Sequence, residues 1–523
     1  MLSVPPEPAS ILALAALVLL PGLAIVRAPW TSVPALSLAF WVLTLWWPPF
    51  AAVSRGRFVG TALVAFALLA SLRLLPKHEV LPDVPGAGES DGRRPPQGAE
   101  TLRAAPSLVS GPSLLILTAA LALLASFPLW CHAPGPEMAF QTTAARLLLW
   151  RDGLPLSGQP LLPLGSFGAH APALPTLAAD VSHLSGIEPA PAVLAVTLAF
   201  VGLLLIGLFA LYATMTRPWA AALGALLGLA LAPWPGFLVV WGEGGAIVGL
   251  ALGISGAALL VGHSSRSSSV AASLLLGSSA LGQPLLAAAI AAIAGAAALW
   301  RPVAQTASGV EAGERRASAR GRLVLALSLA LVLDVPYIVR LGHDLSAGAA
   351  ASALASPTLS DMRALALGLV FIGSAFALGC RLVPLHPNVG RLVPLHPSEG
   401  GLVPLRTRPW GLVVLRPGVG GRDVAVFTLG VVSAVVFLVR VDAWIAGGQL
   451  PARMQAAIAR ASAATGPLDI VCGPEGARDW IPALAGRQAG EPGPWIPPVY
   501  REEWAQRPRR ACAAHLEAFL DGQ

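Results

Sequence analysis

Apolar runs long enough to cross a membrane recur along the chain, and no other feature constrains its fold as tightly. AVLAVTLAFVGLLLIGLFALYA, ending at Ala213, is one of them. A helix needs about 20 such residues to cross roughly 30 Å of hydrocarbon. In lipid the backbone must satisfy its own polar groups, so the runs predict helices and the chain an all-α polytopic membrane protein. Composition agrees: 55% of the 523 residues are hydrophobic and 12% charged, and mean hydropathy is +0.70. The net charge of +7 does not indicate nucleic acid, because the arginines gather in particular loops between apolar runs.

The runs suggest about twelve spans: 10–26, 33–53, 58–72, 113–130, 190–213, 218–240, 246–261, 270–281, 285–300, 323–339, 362–380 and 424–439. Basic loops follow the third, ninth and eleventh, all on one side of the membrane by this count, which the positive-inside rule makes cytoplasmic. Arg55 and Arg57 then fall on the opposite side, against the rule. The organisation reads as N-terminal helices (1–75), a cytoplasmic linker expected to be disordered (76–112), a transmembrane core (113–446) and a small extracytoplasmic α/β appendage (447–523). Within the core lie an outward loop (131–189) and a cytoplasmic tandem repeat (381–423) beginning RLVPLHPNVG and RLVPLHPSEG. The repeat's His386 and His396 lack metal-site geometry. In the tail, PARMQAAIARASAAT reads as a helix and LDIVC as a strand, and Cys472 and Cys512 are candidates for a disulfide.

The outward loop is too long for a mere connector. From Pro136 to Gly153 it reads as an interfacial helix, with Met138, Leu147, Leu148 and Trp150 on its apolar side. Glu137 and Gln141 stack on one face above Ala144 and Ala145, a face with room for a ligand. Glu137 either serves as a base or merely complements the helix dipole. His170 follows, and then Asp180 and His183, three apart and able to share a metal or a hydrogen bond. Asp334, beside Pro336 late in a span, is a functional candidate because an intramembrane carboxylate is costly to leave in lipid. Arg340 and Arg440, at span ends, can receive a phosphate or simply snorkel to the interface.

Three segments, PGPEMAFQTTAARL, WGEGGAIVGLALG and DWIPALAGR, resemble polytopic glycosyltransferases of the GT-C superfamily. The resemblance orders most of the chain from about Ser113 onward. It implies a membrane enzyme that moves a sugar, with inversion, from a polyprenyl-phosphate donor to a glycan, lipid or protein acceptor outside the cytoplasm. Glu137 would be the base. Gln141, His170, Asp180, His183, Trp241, Asp334, Arg340, Arg440 and Trp480 would line the substrate, with a divalent metal admitted but not required. The family commonly has Asp at the first position and often His one turn later, where this chain has Glu137 and Gln141. The alternatives are a transporter or flippase of a lipid-linked glycan, and a catalytically silent scaffold.

Overall fold

The computed structural model describes residues 8–25, 29–46, 53–74, 111–126, 130, 132–153, 158–159, 161–162, 172–231, 238–240, 242–262, 265–305, 309–346, 421–493, 504 and 511–520. The linker, the tandem repeat with His386 and His396, and the expected span at 362–380 lie outside these residues.

The described chain is overwhelmingly helical, as its apolar runs require. The core helix is α7 (Pro189–Ala213). Its most apolar stretch is completely buried, so its neighbours stand between it and the surroundings. Packed on it are α4 (Gly111–Ala125), α5 (Pro136–Arg151), α6 (Ala173–Ser185), α8 (Pro218–Leu231) and α9 (Gly244–Gly262). A second layer follows on α9, made of α10 (Arg266–Ala280) and α11 (Pro284–Gln305), with α12 (Gly309–Ser346) against both. The N-terminal helices α1 (Pro8–Ile25), α2 (Val33–Leu43) and α3 (Arg55–Leu74) close the bundle. All three touch α6, and α2 also touches α10. Helix α13 (Gly421–Gly447) runs against α4 and α8.

Four helical segments among the described residues are long and apolar enough to cross a membrane: Pro189–Ala213, Gly244–Gly262, Arg320–Val339 and Val424–Gly447. Five others, including Gly111–Ala125 and Pro218–Leu231, are apolar but only 10–17 residues long. The expected twelve spans are therefore not what the described residues show. Among the described residues these five segments fall short of the roughly 20 residues a crossing takes. Helices α12 and α13 expose rows of Val, Leu and Ile, as lipid-facing helices do.

The chain after Gly447 differs from the expected appendage. Helix α14 (Ala452–Ala464) leads into β1 (Ile470–Cys472), the centre of a three-stranded parallel sheet with β2 (Gln488–Ala489) and β3 (Ala514–His515). Between β1 and β2 lie α15 (Glu475–Arg478) and a π-helical turn at Ile481–Ala485, and α16 (Glu517–Leu520) ends the described chain. Cys472 and Cys512 are joined as a disulfide, with Cα atoms 5.8 Å apart. Far from hanging off the bundle, this segment shares its hydrophobic core: Ile458, Trp480, Ile481 and Leu516 belong to the same buried cluster as Met138 and Leu177. Burial in that shared cluster, with the Ile481–Ala485 turn packed on α5, removes these side chains from water, which a tethered appendage would not achieve.

Candidate functional site

Helix α5 carries the leading candidate residue and does not lie at an interface. Met138 and Leu147 are 0% exposed and Leu148 is buried, while Trp150 alone of the expected apolar side is open. The face expected to receive a ligand is also packed, with Gln141, Ala144 and Ala145 buried. Helices α6 and α7 on one side and the Ile481–Ala485 turn on another explain this enclosure. Arg146, further along α5, donates through Nη2 to Ala483 O and Glu188 Oε2, both at 3.1 Å, which fixes the turn against the helix.

The first turn of α5 is a meeting point. Gly135 is its N-cap with φ 87° and ψ 144°, a conformation suited to glycine, and Pro136 follows at the first helical position. The Gly135 N–H donates to Gly448 O at 2.9 Å. A Cβ on Gly448 would stand 2.6 Å from Pro134 Cβ, so only glycine admits this approach. From another direction comes Gly242, at φ +85°, where a Cβ would lie 2.8 Å from the Met138 amide nitrogen. Glu137 sits half-buried between these approaches.

His132, which sequence reasoning missed, ties the opening chain to the terminal segment. It is wholly buried, its Nδ1 donates to Ala133 O at 2.7 Å, and its Nε2 accepts from the Leu450 N–H at 3.3 Å and lies 3.4 Å from Gln455 Nε2. Its own carbonyl accepts from Gln449 Nε2 at 2.7 Å. Burial lowers the His132 pKa below the ordinary histidine range, against the raising influence of the Ala133 carbonyl. The neutral ring therefore fits its two roles as donor and acceptor. Trp480 lies 4.3 Å away, centroid to centroid, and is itself buried, so its indole packs on His132 in the interior.

Asp180 and His183 share no hydrogen bond among the described residues, although His183 acts on Asp180 electrostatically. Asp180, 2% exposed, is gripped by Arg55, whose Nε donates to Oδ1 at 3.0 Å and whose Nη2 donates to Oδ2 at 2.7 Å. Nη2 also donates to Trp41 O at 2.9 Å. Burial raises the Asp180 pKa and Arg55 opposes it; the bidentate contact is that of an ionised carboxylate. Arg55, against the positive-inside pattern, is placed by this pairing at the Asp180 end of the bundle. Asp152, which ends α5, accepts the Arg55 N–H on its carbonyl at 3.0 Å and the Gly56 N–H on Oδ1 at 2.9 Å. A carboxylate at the opening of α3 suits that helix's dipole. The His183 ring lies against Gly56, where a Cβ would stand 2.3 Å from its Nε2.

The remaining candidates are scattered. Fifteen residues of α5 at about 1.5 Å each put Asp152, whose carbonyl takes the Arg55 N–H, about 22 Å along the helix from Glu137. Asp334 is buried on α12 over Gly277 of α10, in a different layer, and its Oδ1 has no hydrogen-bond partner among the described residues. Arg440 is exposed on α13, with Nε 3.4 Å from Ala230 O. Arg340 lies within α12, its side chain outside the described residues; His170 and Trp241 lie outside them altogether. Among the described residues no three His, Cys, Asp or Glu side chains gather as a metal would require. No protein-family description, curated protein or solved structure matches the chain.

Proposed function

We propose that the protein is a multi-pass membrane glycosyltransferase of the GT-C type, acting on the extracytoplasmic side of the inner membrane. The observation that supports it most is the meeting at the first turn of α5. Pro134 to Met138, the glycine turn at Gly242 and the chain at Gly448 and Trp480 converge there from three distant parts of the sequence. These are the parts that carry the resemblance or adjoin it. In this reading Glu137 takes the proton of an acceptor hydroxyl, whose oxygen attacks the anomeric carbon of a polyprenyl-phosphate sugar. The bond from that carbon to the phosphate oxygen breaks, configuration inverts, and lipid phosphate leaves, with Arg440 and Arg340 as the candidates to meet its charge. Base assistance of this kind contributes about 10² to 10⁴ in rate.

The buried Gln141 to Ala145 face supports a second reading, a catalytically silent scaffold. Turnover of a panel of polyprenyl-phosphate sugars by the purified full chain separates the two. The transferase reading expects Glu137→Gln to lose about 10² to 10⁴ of the parent's rate. Equal rates would remove Glu137 from the mechanism, and no turnover with any donor would favour the scaffold.

A further inference from the structure

The joint over the first turn of α5 turns on one neutral ring. Two donors converge on His132 Nε2, the Leu450 N–H at 3.3 Å and Gln455 Nε2 at 3.4 Å. On the other side Nδ1 donates to Ala133 O at 2.7 Å. The ring is enclosed, with the Trp480 indole packed on it. Such an arrangement needs a lone pair on Nε2, because a protonated imidazole is a donor at both nitrogens. The same stretch of chain closes the rest of the joint: Gly448 O accepts from the Gly135 N–H, and Gln449 Nε2 donates to His132 O.

Protonation leaves these partners no way to adapt. A backbone N–H cannot accept, so Leu450 would face a second donor. Turning the Gln455 amide over would set Oε1 against Leu450 O, to which its Nε2 now donates at 2.6 Å. The added charge would also be buried without a counter-charge. The titratable side chains on the elements that meet here are Glu137 of α5, Asp442 of α13, Arg453 of α14 and Asp479 beside Trp480. None of them enters the balance on the ring, which burial and the Ala133 carbonyl set. Burial wins and lowers the folded pKa, so an opened joint takes the proton more readily than a closed one. Closure is then complete above the ordinary histidine pKa of about 6.5, and the open population rises by about ten-fold for each pH unit lost between that value and the folded one.

We propose that His132 is an acid-released latch: when its ring is protonated, the chain from Gly448 to Gln455 and the Trp480 indole withdraw, and the first turn of α5 with Glu137 opens to solvent. The latch operates whether or not Glu137 is a base, and its opening is read from backbone amides alone.

The test is hydrogen exchange of the full chain in detergent, read by mass spectrometry at about pH 8 and about pH 5 and corrected for the intrinsic exchange rate at each. In the parent, amides in 132–140 and 449–458 should lose about ten-fold or more of their protection at the lower pH, while those of α7 keep theirs. His132→Gln should abolish the response, and His515→Gln, at an exposed histidine of β3, should retain it. Gln455→Glu sets a carboxylate at Nε2, which favours the charged ring, so the acid opening should shrink or reverse. That variant reports on the same ring should His132→Gln fail to fold. Equal protection at both pH values in the parent would overturn the latch, as would the parent's full response in His132→Gln or Gln455→Glu. So would a loss of protection spread evenly through α7, the mark of global unfolding.

Discussion

Arg55 and Asp180 lie 125 residues apart in sequence and meet with two nitrogens on two oxygens, both side chains nearly enclosed. Removing one partner of such a pair leaves the other charged and dry, which costs far more than the pair contributes. Asp180→Ala should therefore lower stability by about 3–5 kcal/mol, while Arg55→Met with Asp180→Leu should recover most of the loss. Chemical unfolding in detergent measures both; a single variant as stable as the parent would mean that the pair is open to water. His132 makes a prediction of the opposite chemical kind. Its pKa is lowered in the folded chain, so the unfolded state binds the proton more readily. Its contribution is complete above the ordinary histidine pKa of about 6.5 and is lost as pH falls through the lower folded value. Melting temperature should fall on acidification across that window, and His132→Gln should flatten the slope. Neither pairing was legible in the sequence, where Arg55 stood out only as a charge on the unexpected side. A distant partner leaves no periodicity to read, and a single histidine after a span carries no spacing at all.

At the level of elements, close approach and positive φ set what can be changed. Gly242 satisfies both conditions: its φ of +85° disfavours any side chain, and a Cβ would press on the Met138 backbone nitrogen at 2.8 Å. Gly242→Ala should cost about 1–3 kcal/mol. Gly153 has nothing within 4 Å, and Gly153→Ala is the control that should leave stability nearly unchanged. Equal melts for the two would dismiss the tight joint at α5. The disulfide between Cys472 and Cys512 closes a separation of 40 residues, worth about 4 kcal/mol by chain entropy. Cys512→Ser should open the terminal segment to limited proteolysis while the bundle stays protected. Helix α5 itself was well placed in the sequence: Pro136 begins it, and it ends at Arg151, just before Gly153. Its surroundings were not foreseen, because an apolar face reads the same whether it meets lipid or protein. Its burial under residues 480–485 comes from chain more than 300 residues further on.

For the whole molecule, the apolar runs foretold a helical chain with segments long and apolar enough to cross a membrane, and more of them than the described residues show. Hydropathy registers how apolar a run is and not how long a continuous helix it forms. The union of bundle and tail has a consequence for biosynthesis. His132 and its partner Gln449 are 317 residues apart. At about 5–20 residues per second, the ribosome delivers the second about 15–65 s after the first. Until then the opening turn of α5 lacks the carbonyl of Gly448, the side chains of Gln449 and Gln455, and the cover of Trp480. A chain halted after Gly447 should thus leave 132–151 open to protease, and one extended through Leu520 should protect it; equal cleavage of both would refute the dependence. Newly made copies would pass through an incomplete stage in which the proposed chemistry is impossible, so that completion of synthesis itself acts as the checkpoint.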